Sequence, residues 1–180
     1  MKFVTTNQGK VREAREYLSD LTTVEQFDYD YTEIQSDSLA DIAAAGAEEA
    51  YEAAGGDDPV IVDDAGLFVE ELDGFPGPYS AYVEDTLGID RVWELAESLA
   101  DRRAAFRCTV AYADGDVVET FDGAVSGTLV TPRGSGGFGY DPIFEHDGET
   151  FAEMSTEKKN ALSHRGRALA KLADWLAENS

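Results

Sequence analysis

Lys2-Phe3-Val4-Thr5-Thr6-Asn7-Gln8-Gly9-Lys10 opens the chain with a short β-forming run, a polar turn and the first residues of a helix. The spacing predicts that helix from about Gln8 to Leu18, with Val11, Ala14, Tyr17 and Leu18 on one face. Strand, loop and helix in this order begin a crossover unit. Further along, Val24 to Tyr31 alternates as a strand does, and Leu39 to Ala54 is Ala-rich with helical period. Pro59 starts the run Val60-Ile61-Val62, expected to end as a strand in Asp63-Asp64-Ala65-Gly66 before a second strand-like run from Leu67 to Leu72.

The middle of the chain reads differently. Asp73 to Tyr79 holds Gly74, Pro76, Gly77 and Pro78 and predicts a constrained loop, after which Leu87 to Leu99 returns to helical spacing. Ala104 to Ala113 and Val117 to Val130 predict two long strands around Asp114-Gly115, a hairpin signal. Thr131 to Pro142 is a Gly-rich loop. Ser155 or Thr156 is expected to cap a short helix and Ser163 the last one, whose apolar face is Ala168, Leu169, Leu172, Trp175 and Leu176. Crossovers and a hairpin together predict an α/β domain with a mixed sheet. No repeat or low-complexity linker divides residues 1–180, so a single domain is expected.

Charge is the second constraint. The net charge is -23, with 37 Asp and Glu against 14 Lys and Arg. Such a surface repels polyanions, so neither a long nucleic acid nor an anionic membrane is an expected partner. The acids are spread among regular apolar positions, unlike a disordered tail, and point to a solvated surface adapted to high salt. At 1 M salt the Debye length falls to ~3 Å, which mutes self-repulsion. A halophilic protein is the expectation. No secretory signal is visible, no apolar run approaches the ~18 residues of a membrane span, and Cys108 stands alone; these readings predict a reduced, cytoplasmic setting.

The scarce cations are clustered. Lys10, Arg12 and Arg15 lie near the start, and Lys158, Lys159, Arg165, Arg167 and Lys171 near the end. Positive charge kept at particular places in an acidic chain points to a small anion. Thr5 to Lys10 spans a strand end and a helix start, where outward backbone N–H groups and the helix dipole attract phosphate. The P-loop spacing is absent, and a capped helix with a surface lysine would produce the same pattern.

Three other segments carry candidate chemistry. Asp63 and Asp64 follow an apolar approach, and buried carboxylates need a cation or donors; Asp64 with Glu33 would suit Mg²⁺, although turn-capping acids are common in such a chain. Gly134, Gly136 and Gly139 satisfy G-x-G-x-x-G, but Asp141-Pro142 disfavours the helix that a dinucleotide fingerprint requires. Phe138 and Tyr140 instead offer ring faces beside Asp141, in what is otherwise an ordinary loop. Lys158 to Arg167 places cations and His164 around the start of the last helix, where donors could meet a base or phosphates. His146 has no comparable setting, and neither histidine comes with zinc-site spacing.

Taken in order, Thr5 to Lys10, Glu33-Ile34-Gln35, Asp63 to Leu67, Gly74 to Tyr79, Gly136 to Phe144 and Glu157 to Leu169 closely resemble the inosine triphosphate pyrophosphatase family. The resemblance implies a two-lobed fold with a long central mixed sheet flanked by helices, a nucleotide cleft between the lobes, and a homodimer. It implies Mg²⁺-dependent hydrolysis of ITP, dITP and XTP to the monophosphate and pyrophosphate. By carry-over, Asp64 is the general base and a metal ligand, and Glu33 the other metal ligand. Thr5, Thr6, Asn7, Gln8, Gly9 and Lys10 hold the phosphates; Phe138, Gly139, Tyr140, Asp141, Lys159, His164 and Arg165 form the purine and sugar pocket. Ala65 stands where many members carry Ser or Thr, leaving only backbone for substrate, and Tyr82 replaces an Arg of some bacterial members. A nucleotide-binding sensor without turnover is the competing expectation.

Overall fold

The computed structural model describes residues 1–179. The elements are β1 (Lys2–Val4), α1 (Gln8–Leu18), β2 (Glu25–Phe27), α2 (Leu39–Ala53), β3 (Val60–Val69), β4 (Pro76–Gly77), α3 (Ser80–Leu87), α4 (Ile89–Glu97), β5 (Arg103–Ala113), β6 (Val118–Leu129), β7 (Phe144–His146), β8 (Glu149–Thr150), α5 (Thr156–Ala161) and α6 (His164–Asn179). The sheet runs β2-β1-β3-β5-β6-β7-β8, with β4 also paired to β3. β1 is parallel to β2 and β3, whereas β4 pairs antiparallel with β3, and β7 pairs antiparallel with both β6 and β8. The sheet is therefore mixed, as the connections predicted.

Two compact units divide the chain. The first comprises Met1–Asp64, Cys108–Gly123 and the stretch from Arg165; the second comprises Ala65–Arg107 and Ala124–His164. In the first, Ala43, Ala47 and Ala50 of α2 pack against Val4, Val60, Val62, Ala111 and Ala113, small side chains that let helix and strands approach closely. α1 buries Val11, Ala14 and Leu18, while Tyr17 lies at the edge, 41% exposed. Trp175 of α6 meets the Tyr112 and Phe121 rings at 5.2 and 5.8 Å. In the second unit Val92, Trp93 and Ala96 of α4 share a core with Leu67, Val69, Leu129, Ile143 and Phe144.

Three expectations are corrected. β3 does not stop at Asp63-Asp64 but continues to Val69. It can do so because Gly66 admits close approach by the chain at β4: a Cβ there would overlap the Gly77 carbonyl, and the buried Ser80 hydroxyl accepts from Leu67 N and donates to Gly77 O. The helix expected from Leu87 begins only at Ile89, as α4, and is preceded by α3, which the spacing did not predict; the two part at Gly88, whose φ of 77° lies outside the helical region. The β5–β6 turn takes in Asp116 and Val117 as well, because Asp114 Oδ1 accepts from both of their amides at 3.0 Å.

Candidate active site

In the first unit the Thr5–Lys10 turn is organised by its own side chains. Asn7 caps α1, its Oδ1 accepting from Gly9 N at 2.8 Å and Lys10 N at 3.4 Å, while Thr5 Oγ1 accepts from Asn7 N at 3.1 Å. Gln8 bonds the Gln26 side chain, and Gln26 donates to Thr5 O at 2.9 Å, tying the turn to β2. Thr6 is exposed and Gly9 half-buried. The Lys10 ammonium reaches inward to Asp63 Oδ1 at 2.9 Å.

Successive strand residues face opposite sides, so a continuous β3 sends the two adjacent carboxylates apart. Asp63 is buried, its side chain 1% exposed, and receives Lys10 on Oδ1 and Arg165 Nε on Oδ2 at 2.7 Å. Arg165 also pairs with Glu13 at 3.2 Å, and Glu13 Oε1 is buried with no hydrogen-bond partner. Burial alone would raise the Asp63 carboxyl, but the charges and hydrogen bonds of Lys10 and Arg165 override it and hold it well below the usual carboxylate range. Cys108 Sγ lies 4.0 Å from Asp63 Oδ2; burial, and then the Asp63 charge, push its thiol up. The counter-cation that the sequence led one to expect for this pair thus serves Asp63.

Asp64, on the other face, is half-buried, and Glu33 is exposed. Both act on one group: Tyr31 has its phenol raised by burial, then by Glu33, Asp64 and Asp63 in that order. Among the described residues no cluster of three His, Cys, Asp or Glu side chains is arranged to hold a metal alone. Glu33 and Asp64 carry hard oxygen donors of the kind that Mg²⁺ takes. Ala65 follows with a methyl group only.

In the second unit the Gly-rich loop leads into a 3₁₀ turn, Asp141–Ile143, rather than an α-helix, in keeping with rejection of the dinucleotide fingerprint. Phe138 is 76% exposed, with Lys159 Nζ 4.4 Å from its ring centroid. Asp141 is buried and accepts from Phe138 N at 2.8 Å and from Lys159. Tyr140 is buried and donates to Ser80 O at 2.8 Å, so its ring is core and not an open face. Gly139 lies next to Glu84, whose carboxyl is raised by burial and then by Asp85 and Asp141. His164 stacks on Phe106, centroids 5.4 Å apart.

The structure brings Lys10, Asp63, Arg165 and Glu13 together in one unit, and Phe138, Asp141 and Lys159 in the other. It engages Arg165 with acids where the carry-over gave it to the nucleoside. Sequence reasoning missed Glu13, which nothing distinguishes among 37 acids. It also missed Tyr31, at the end of a predicted strand. The separate role of Asp63 was readable only with β3 taken as unbroken.

Comparison with known proteins agrees with the motif order. A profile described as the Ham1 family matches residues 1–175. The chain is 50% identical to a dITP/XTP pyrophosphatase of Thermococcus kodakarensis, covering 99% of this chain and 98% of the relative. It is 48% identical to one of Methanopyrus kandleri over 98% and 96%. Among solved structures it superposes on the Staphylococcus aureus Ham1 protein with a TM-score of 0.86 at 31% identity over 100% of both chains, and on a HAM1 protein of Coxiella burnetii with 0.87 at 32% over 98% of each. Matched along nearly its whole length in sequence and in fold, the chain belongs to the Ham1 family.

Proposed function

We propose that the protein hydrolyses the purine nucleoside triphosphates ITP, dITP and XTP to the monophosphate and pyrophosphate. The observation that carries this reading is full-length 50% identity to a relative named dITP/XTP pyrophosphatase. Asp64 is the general base, orienting and deprotonating the water that attacks the α-phosphorus. Glu33 and Asp64 would hold Mg²⁺, which when bound neutralises phosphate charge. Thr5 to Lys10 take the phosphates. Phe138 presents a ring face to the purine, with Lys159 and His164 at the nucleoside, and Asp141 holds the Phe138 amide and Lys159 in place. A homodimer, a salt-rich cytoplasm and Mg²⁺ dependence belong to the same proposal. No helix among the described residues is long and apolar enough to cross a membrane.

The test is pyrophosphate release from ITP, XTP, dITP, GTP and ATP in multimolar salt, with and without Mg²⁺. Turnover confined to the first three and abolished by chelation is expected. Equal turnover of ATP and ITP would sink the assignment, and nucleotide binding with no pyrophosphate released would favour the sensor.

A further inference from the structure

The motifs assign a role to Asp64 and none to its neighbour, yet Asp63 has a distinct geometry. Each of its oxygens is committed to a different cation: Oδ1 to Lys10 Nζ at 2.9 Å and Oδ2 to Arg165 Nε at 2.7 Å. Those cations come from α1 and α6, and Asp63 comes from β3. Arg165 is anchored a second time by Glu13, also on α1, so Asp63, Arg165 and Glu13 form a chain of contacts that returns to the helix carrying Lys10. Exposure is lowest at Asp63: the side chains are 26% exposed at Lys10, 1% at Asp63, 15% at Arg165 and 17% at Glu13. An ammonium has three hydrogens, of which the bond to Asp63 uses one. Lys10 is therefore the outward end of a buried, doubly anchored network, one turn into a helix whose N-terminus is capped by Asn7.

We propose that Asp63 is the positioning residue of the phosphate site: it fixes Lys10 at the N-terminus of α1 through a carboxylate that Arg165 and Glu13 hold rigid. A flexible lysine stem otherwise loses side-chain freedom each time a phosphate binds. With the ammonium already directed, that loss falls on folding and not on binding. Arg165 acts through Asp63 as part of the same support. This rests on the pyrophosphatase reading only for the identity of the nucleotide; the phosphate arm stands without it.

The experiment compares wild type, Asp63→Asn, Lys10→Met and the double variant, all in multimolar salt. Thermal melts report folding, calorimetry reports binding of inorganic tripolyphosphate with Mg²⁺, and KM and kcat are measured for dITP. A charge-assisted contact of ordinary strength predicts that each single variant weakens tripolyphosphate binding about tenfold or more and raises KM for dITP similarly, with a smaller change in kcat. The double variant should bind within about twofold of Lys10→Met, because Asp63 acts through Lys10. Tripolyphosphate binding unchanged in Lys10→Met or in Asp63→Asn would overturn the proposal, as would effects that multiply in the double variant. An Asp63→Asn protein that does not fold would also overturn it, by making the network a requirement of the core. Wild type that binds tripolyphosphate but releases no pyrophosphate from dITP would remove the functional reading and leave the calorimetry to decide the positioning role.

Discussion

Asp64 and Asp63 are chain neighbours with opposite fates, because a strand turns consecutive side chains to opposite faces. Asp63 is spent on Lys10 and Arg165, while Asp64 is half-buried on the other side. Replacing Asp64 by Asn keeps shape and removes the carboxylate proposed as the base: nucleotide binding should persist while kcat for dITP falls by about 10²–10⁴. Near-normal kcat would take Asp64 out of that role. Cys108 tests the same buried neighbourhood without touching the chemistry. Burial and the adjacent Asp63 charge raise its thiol, so the folded protein keeps it protonated where an unfolded thiol, with a pKa of about 8.5, ionises. A raised folded-state value contributes stability below the unfolded pKa and loses it as pH rises above. The wild type should therefore lose stability between pH 8 and 10 faster than Cys108→Ala, as read from denaturant midpoints, and should resist alkylation until it unfolds.

At the scale of elements, β3 and the segment after it fix the geometry. The Ser80 hydroxyl, buried at 6% exposure, accepts from Leu67 N and donates to Gly77 O, so it joins β3 to the chain at β4. Ser80→Ala leaves both backbone groups buried and unsatisfied and should cost about 1–3 kcal/mol in chemical denaturation. Loss of less than half a kcal/mol would mean that water or a shift of β4 replaces the bond. This is also where the sequence was hardest to read. The bounds of α1 were legible because Asn7 and the apolar spacing act within one helix, and the β5–β6 hairpin because its turn residues are local. Asp63-Asp64 looked like a strand end, since two carboxylates in a buried strand are costly. The tolerance of Asp63 depends on Lys10 and on Arg165, which lies 102 residues away. Nothing near Asp63 in the sequence announces that partner. The exposed ring of Phe138 and the buried ring of Tyr140, two positions apart, were likewise indistinguishable until the Ser80 carbonyl was seen to claim the Tyr140 hydroxyl.

At the scale of the whole molecule, a net charge of -23 on 180 residues sets the response to salt. Exposed ion pairs such as Arg91–Glu94 and Arg103–Asp101 offset little of it. We predict that the unfolding midpoint falls as salt is lowered from molar concentrations toward dilute buffer, because self-repulsion is then no longer screened. A midpoint that stays level or rises would refute adaptation to salt. The division of the chain into interleaved stretches has a further consequence, for synthesis. The first unit contains Met1–Asp64, made before any of the second unit, but it also needs Arg165 and the buried Leu169 and Leu172 of α6. While the chain is being made, Asp63 has Lys10 as its only cation of the pair for the 102 residues that separate it from Arg165. The unit that is begun before the other is therefore the one that must wait for Arg165 and α6 to be made before it closes.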